Sequence, residues 1–196
     1  MFVSHIAGLF THPKKEWEAI HKSAESYLPH MLILAAIPPI AGYIGTTQFG
    51  WQIGAGDPIR LTNMSAGVIA IVYYVAMLMA VFTMGMVIHW MGRTYGTTQP
   101  LVQCLALASY TATPLFLIGI MEVYPVLWLN FIFGLPALGY TVYLLYSGVP
   151  AMMEIPEDRG FLFSSAVLAF GMVCFVGMLA ATAIFWGLGL GPQFTS

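Results

Sequence analysis

The chain has 196 residues, 59% of them hydrophobic, with 6 Lys and Arg against 8 Asp and Glu. A charged share of 7%, far below the roughly 25% of a soluble domain, excludes a water-facing globular surface. The formal net charge of −2 and the lone basic pair Lys14-Lys15 exclude nucleic acid as a partner, because phosphate binding needs concentrated Lys and Arg.

Residues 1–10 carry no basic residue, no sufficient apolar run and no small-residue cleavage site, so no secretory signal peptide is expected. Phe2, Val3, Ile6, Leu9 and Phe10 recur at helical spacing with Ser4, His5 and Gly8 opposite, which predicts a short helix in the headgroup layer. His12-Pro13 then resembles a helix opening with proline in its first turn. That second helix sets Trp17, Ile20, Ala24 and Tyr27 on one face and is expected along the cytoplasmic surface. Together they form an interfacial segment, 1–27.

Crossing about 30 Å of hydrocarbon takes about 20 mostly apolar helical residues. Runs of that kind fall at 28–49, 64–91, 101–121, 123–146 and 161–190, followed by a short tail, 191–196. They are apolar on every face, whereas barrel strands alternate over about 10 residues. The fold class is therefore an all-α integral membrane protein with five transmembrane helices. The second and fifth runs exceed the bilayer thickness, and tilting or protrusion is expected. Kinks are expected at Pro38-Pro39, Pro114 and Pro136, where proline removes a backbone hydrogen bond. Small residues four apart, such as Ala76/Ala80, Ala108/Ala112, Ser109/Thr113 and Gly177/Ala181, suit close helix packing. Cys104 and Cys174 lie inside apolar blocks without a CxxC or His-rich pattern and are read as small hydrophobes.

With five spans, Lys14, Lys15, Lys22, Arg93 and Arg159 fall on one side and Arg60 on the other. The positive-inside rule then puts the N-terminus in the cytoplasm and the C-terminus across the membrane.

Three constellations bear on chemistry. His12, Glu16, Glu18, His21 and Glu25, with His30 beyond them, include same-face helical spacings that can present imidazole and carboxylate to a divalent ion. Lys14/Glu18 and Glu18/Lys22 share that spacing, so a solvated, charge-paired face explains the same residues. Tyr110, Thr111, Thr113, Pro114, Glu122, Asn130, Tyr140, Tyr143 and Tyr146 place polar groups on the third and fourth spans. Such groups prefer the bundle interior and can line a solute or proton path, although interfacial aromatics also act as anchors. His89 and Arg93, four apart at the end of the second span, can hold an anionic lipid headgroup or a substrate carboxylate, or simply snorkel to water. No GxSxG, HExxH or Walker loop and no pair of intramembrane aspartates is present. Neither an enzyme nor a bound cofactor is expected.

Four stretches carry a family resemblance: Gly8-Leu-Phe-Thr-His-Pro13, Gly45-Thr-Thr-Gln-Phe-Gly-Trp51, Tyr110-Thr-Ala-Thr-Pro-Leu-Phe-Leu117 and Tyr143-Leu-Leu-Tyr146-Ser-Gly148-Val-Pro150. With the order of amphipathic N-terminus and five spans, they resemble the Yip family of membrane proteins over nearly the whole chain. The resemblance implies a five-helix protein with a cytoplasmic N-terminus. Eukaryotic relatives bind Rab-type GTPases and each other and help shape or traffic membranes, whereas bacterial members bring no assigned biochemical role. The long acidic and aromatic N-terminal region of the eukaryotic proteins, with its Asp-Leu-Tyr-Gly-Pro-type segment, is missing here, so GTPase binding is not carried over. The expected role is a membrane-organising or protein-interaction scaffold touching lipids, itself or other membrane proteins. The alternative is a small solute or ion transporter or channel built on the polar residues of the third and fourth spans.

Overall fold

A computed structural model describes residues 2–23, 27–52, 56–189 and 191–195. Two short helices open the chain, α1 (Phe2–Thr11) and α2 (Pro13–Lys22). His12, at φ −142°, breaks them apart, and Pro13 suits the first turn of α2 because a helix start leaves its N–H groups unpaired anyway.

Five helical segments long and apolar enough to cross a membrane follow: Tyr27–Phe49, Asn63–Tyr95, Leu101–Val123, Leu127–Met153 and Glu157–Gly187. The first is α3 (Tyr27–Leu34), α4 (Ile37–Ile44) and a π turn over Gly45–Phe49. The second is the single helix α5 (Asn63–Tyr95). Thr62 caps its start by accepting from Ser65 N at 3.3 Å, and Gly96 ends it at φ 83°, a left-handed conformation that glycine adopts without a Cβ penalty. The third is α6 (Leu101–Thr111), α7 (Thr113–Ile118) and a 3₁₀ turn over Gly119–Val123. The fourth and fifth are α8 (Leu127–Met153) and α9 (Glu157–Gly187).

Pro38-Pro39 and Pro114 divide their spans into two helices, as proline chemistry dictates. Pro136 does not interrupt α8. The fourth helix starts later than 123, because the 3₁₀ turn carries the chain on to Val123 and Val126 is the extended residue that caps α8. It also runs past 146 to Met153, through Pro150, whose ring lies against Gly160 of α9. A Cβ built on Gly160 would stand 2.6 Å from Pro150 Cγ, so this proline is accommodated by a neighbour without side-chain bulk. The fifth helix begins at Glu157 instead of 161, with Glu157 and Asp158 in its first turn, where the helix dipole favours negative charge.

Connections gather at two ends. At one, His21, Gln103, Gln99 and Glu154 are hydrogen-bonded across α2, α6, the 96–100 loop and the end of α8. At the other, Trp51 pairs with Ile59, Gln52 with Val126 and Leu61 with Phe194 through isolated bridges. The C-terminal tail is tied there too, by Thr62 N to Gln193 O at 3.1 Å and Thr195 N to Arg60 O at 2.9 Å. The N-terminal helices and the C-terminal tail thus occupy opposite ends of the bundle.

Packing is uneven. On α6 every described residue from Cys104 to Thr111 is buried. Leu9, Trp17, Leu107, Leu144, Val149 and Phe163 are sealed in one cluster at the Glu154 end. Along α9, by contrast, every residue from 172 to 187 is exposed, and residues 127–143 of α8 contain none that is buried.

Candidate functional site

The Glu154 end is built around the N-terminal helices. The segment expected in the headgroup layer is seated on the bundle: Leu9 and Trp17 are both 0% exposed, while Lys14, Lys15 and Glu18 remain on the outside. Trp17 Nε1 donates to Ser147 Oγ at 3.1 Å, and Ser147 Oγ donates to the Leu144 carbonyl at 3.1 Å. A buried indole N–H needs such a partner. Gly148 makes the seat possible, since a Cβ there would lie 2.7 Å from Trp17 Cε2 and 2.8 Å from Leu107 Cδ1. Tyr140 fastens α1 by donating to the Leu9 carbonyl at 2.7 Å and stacking on Phe10 with ring centres 5.1 Å apart.

Beneath this seat lies a buried cluster of imidazoles. His5 of α1 is hydrogen-bonded to Glu16 of α2 and meets the edge of Tyr110 at 6.0 Å. His30 of α3 also packs on Tyr110, with ring centres 4.0 Å apart. Thr113 Oγ1 donates to the Tyr110 carbonyl at 2.7 Å, which uses its single proton, so it accepts from His30 Nε2 at 3.0 Å. Hydrogen bonds of this kind hold α3 against the broken α6–α7 span, where an unpaired polar group would be costly.

Nearer the chain end, His21 places both ring nitrogens against acceptors, Gln103 Oε1 at 2.8 Å and Glu154 Oε1 at 3.0 Å. Gln99 Nε2 donates to the other carboxylate oxygen of Glu154 at 3.0 Å, and Thr97 Oγ1 donates to the Met153 carbonyl at 2.9 Å. Behind these bonds is a cavity of about 160 Å³ whose lining includes His89, Arg93, Thr97, Thr98 and Gln99. The two basic residues paired by sequence spacing therefore share one concavity.

The remaining sequence candidates disperse. His12 stands exposed between α1 and α2, Glu18 is exposed, and Glu25 lies outside the described residues. Among the described residues no group of three His, Cys, Asp or Glu side chains is placed to hold a metal ion. Tyr110 and Thr113 join His30, whereas Glu122 lies at the other end and accepts from Tyr73 of α5 at 2.9 Å. Gly42 and Gly45 make room for the Glu122 stretch; a Cβ on Gly42 would be 2.9 Å from Glu122 Oε2. Asn130 sits in the open half of α8, and its Oδ1 has no hydrogen-bond partner among the described residues. Tyr143 is 46% exposed beside Tyr140, at 5.6 Å between centres. Pro114 starts α7 and is buried, acting on the backbone. The candidate path residues thus stand in three separate places.

Sequence spacing did not single out Tyr73, Thr97, Gln99, Gln103, Ser147 or Glu154. Each is positioned by a partner remote in the chain, which intrahelical periodicity cannot report.

A family model, the Yip1 domain, matches residues 7–178. The inner membrane protein YohC of Escherichia coli strain K12 is 43% identical over 191 residues, covering 95% of this chain and 98% of that protein. The YohC of E. coli O6:H1 strain CFT073 shows the same identity and coverage. No solved structure matches.

Proposed function

Because this chain belongs to the Yip1 domain family, we propose that it works as a membrane-organising and protein-interaction scaffold in a bacterial inner membrane. The observation that carries this reading is the free half of α9. From 172 to 187 every position is exposed, over a length of about 24 Å at 1.5 Å per residue. A helix exposed at every position over this length offers that surface to lipid or to another protein. Its small residues Gly177, Ala180 and Ala181 suit close helix approach. The relatives' name supports the inner membrane, and the five basic residues gathered at the Glu154 end against Arg60 at the other support a cytoplasmic N-terminus and periplasmic C-terminus. The protein is proposed to be non-enzymatic, to need no cofactor and to touch lipids, itself or other membrane proteins.

Single cysteines placed at successive positions of 172–187 in a background of Cys104→Ser and Cys174→Ser test it. In intact cells, cross-linking to protein should recur every three to four residues. Uniform labelling with no protein adduct at any position would defeat the scaffold. An impermeant thiol reagent applied from outside should reach a cysteine at position 193 but not one at 18; the reverse would invert the topology.

Transport is the competing function. The separation of Tyr110, Glu122 and Asn130 speaks against a shared path. A proteoliposome flux abolished by Asn130→Leu or Glu122→Gln would establish it instead.

A further inference from the structure

We propose that the cavity at the end of α5 binds the phosphodiester group of an anionic phospholipid, whose acyl chains lie along the outer face of the same helix. The inference does not rest on the scaffold function above. Arg93 and His89 stand one turn apart and both line the cavity. Among the described residues Arg93 has no acidic partner within salt-bridge distance, so its planar fork is available to two phosphate oxygens. His89 Nδ1 donates to the Gln99 carbonyl at 3.1 Å, because a carbonyl only accepts. That orients the ring and leaves Nε2 facing a ligand, where it donates to a phosphate oxygen in the doubly protonated ring. Thr97 uses its proton on Met153, but the neighbouring Thr98 hydroxyl is exposed and makes no hydrogen bond among the described residues.

The surrounding charges fit an anion. Arg159 stands beside Gly96, where a Cβ would lie 3.0 Å from its Nη1, and adds a second guanidinium near the loop. Glu154, the nearby carboxylate, has both oxygens engaged, one by His21 and one by Gln99, and does not line the cavity. What selects a lipid over a soluble phosphate ester is the continuation of α5. Trp90, Met86, Phe82 and Met79 recur three or four residues apart back from Arg93 and are all exposed, at 74%, 49%, 43% and 57%. One stripe of helix surface thus leads from the cavity into apolar side chains suited to acyl chains.

The test uses the full-length chain in phosphatidylcholine nanodiscs containing a trace of fluorescent phosphatidylglycerol, reading lipid association by energy transfer from a donor placed near Trp90. Phosphatidylglycerol should associate in preference to fluorescent phosphatidylcholine. Arg93→Gln should weaken that association roughly tenfold, the loss of one or two charge-assisted hydrogen bonds, and His89→Leu by a smaller factor. Arg93→Lys should fall between, keeping charge without the fork. Arg60→Gln, at the other end, should match the parent. Thermal midpoints in phosphatidylcholine alone separate lost binding from lost fold; if Arg93→Gln is destabilised there, Arg93→Lys carries the comparison. Equal association for parent, Arg93→Gln and Arg93→Lys overturns the site. Displacement of the labelled lipid by millimolar inorganic phosphate at fixed ionic strength overturns the lipid assignment, since it makes the site one for soluble phosphate.

Discussion

The two halves of α8 are similarly apolar and yet live in different surroundings. Residues 144–153 include Leu144, Leu145, Gly148, Val149, Met152 and Met153, all buried against α2, α6 and α9. Residues 127–143 hold no buried residue and expose Trp128, Phe131, Ile132 and Leu135 at 56% or more. The difference is made by what arrives from elsewhere. Trp17 fills the groove over Gly148 at one half, whereas the other stays at least partly open at every position, even where Phe10 of α1 stacks on Tyr140. In hydrocarbon both outcomes are tolerable, because lipid tails are as apolar as leucine and burial itself supplies little drive. Specific shape and hydrogen bonds decide.

The strongest blow to this contrast is Trp17→Ala. It empties the seat of α2 and removes the donor to Ser147 Oγ, which keeps its own bond to the Leu144 carbonyl, with an expected loss of about 3–5 kcal/mol. A fall in thermal midpoint, together with new protease cleavage between α2 and α3, is the expected outcome. A midpoint equal to the parent's would show that the N-terminal helices do not brace the bundle. Gly148→Leu attacks the same contact from the α8 side and should cost about 1–3 kcal/mol by overpacking; with Trp17→Ala it should add less than its own cost, because the clash is then relieved.

Thr113→Val should rank next. It leaves a buried His30 N–H without its acceptor, at about 1–3 kcal/mol, and should loosen α3 from the α6–α7 break. Hydrogen exchange of the α3 amides reports this directly, and unchanged protection counts against the cluster. Tyr73→Phe removes one hydrogen bond to Glu122 at the opposite end and should cost about 0.5–1.5 kcal/mol. Its effect should be independent of Trp17→Ala, the two sites sharing no partner.

The smallest effects belong to the open half. Phe131→Ala and Val176→Ala should stay within about 0.5 kcal/mol for the purified chain. Losses as large as that of Trp17→Ala would mean that a second protein molecule covers these helices during purification and would erase the contrast between the halves.

Several elements were legible in the residues alone. Charge-free blocks marked five long apolar helical segments, and Pro38-Pro39 and Pro114 marked real breaks. The pairing of His89 with Arg93 was visible as a one-turn spacing, and both line the same cavity. The extension of α8 through Pro150 was not legible, because a proline is tolerated there only by Gly160 on another helix. Nor was the partner of Glu16. Spacing offered His12, four residues back, whereas the fold supplies His5 from α1.

Composition and the length of apolar runs, then, determined by themselves that this chain crosses a membrane repeatedly and where it turns. Hydrocarbon offers backbone groups no water to bond, and a helix of bilayer length pairs them within its own segment. Which faces meet lipid and which meet protein was decided only in three dimensions. An apolar side chain satisfies either neighbour equally, so periodicity records no preference. Glycines at close approaches and polar groups seeking remote partners fix the choice once the helices assemble.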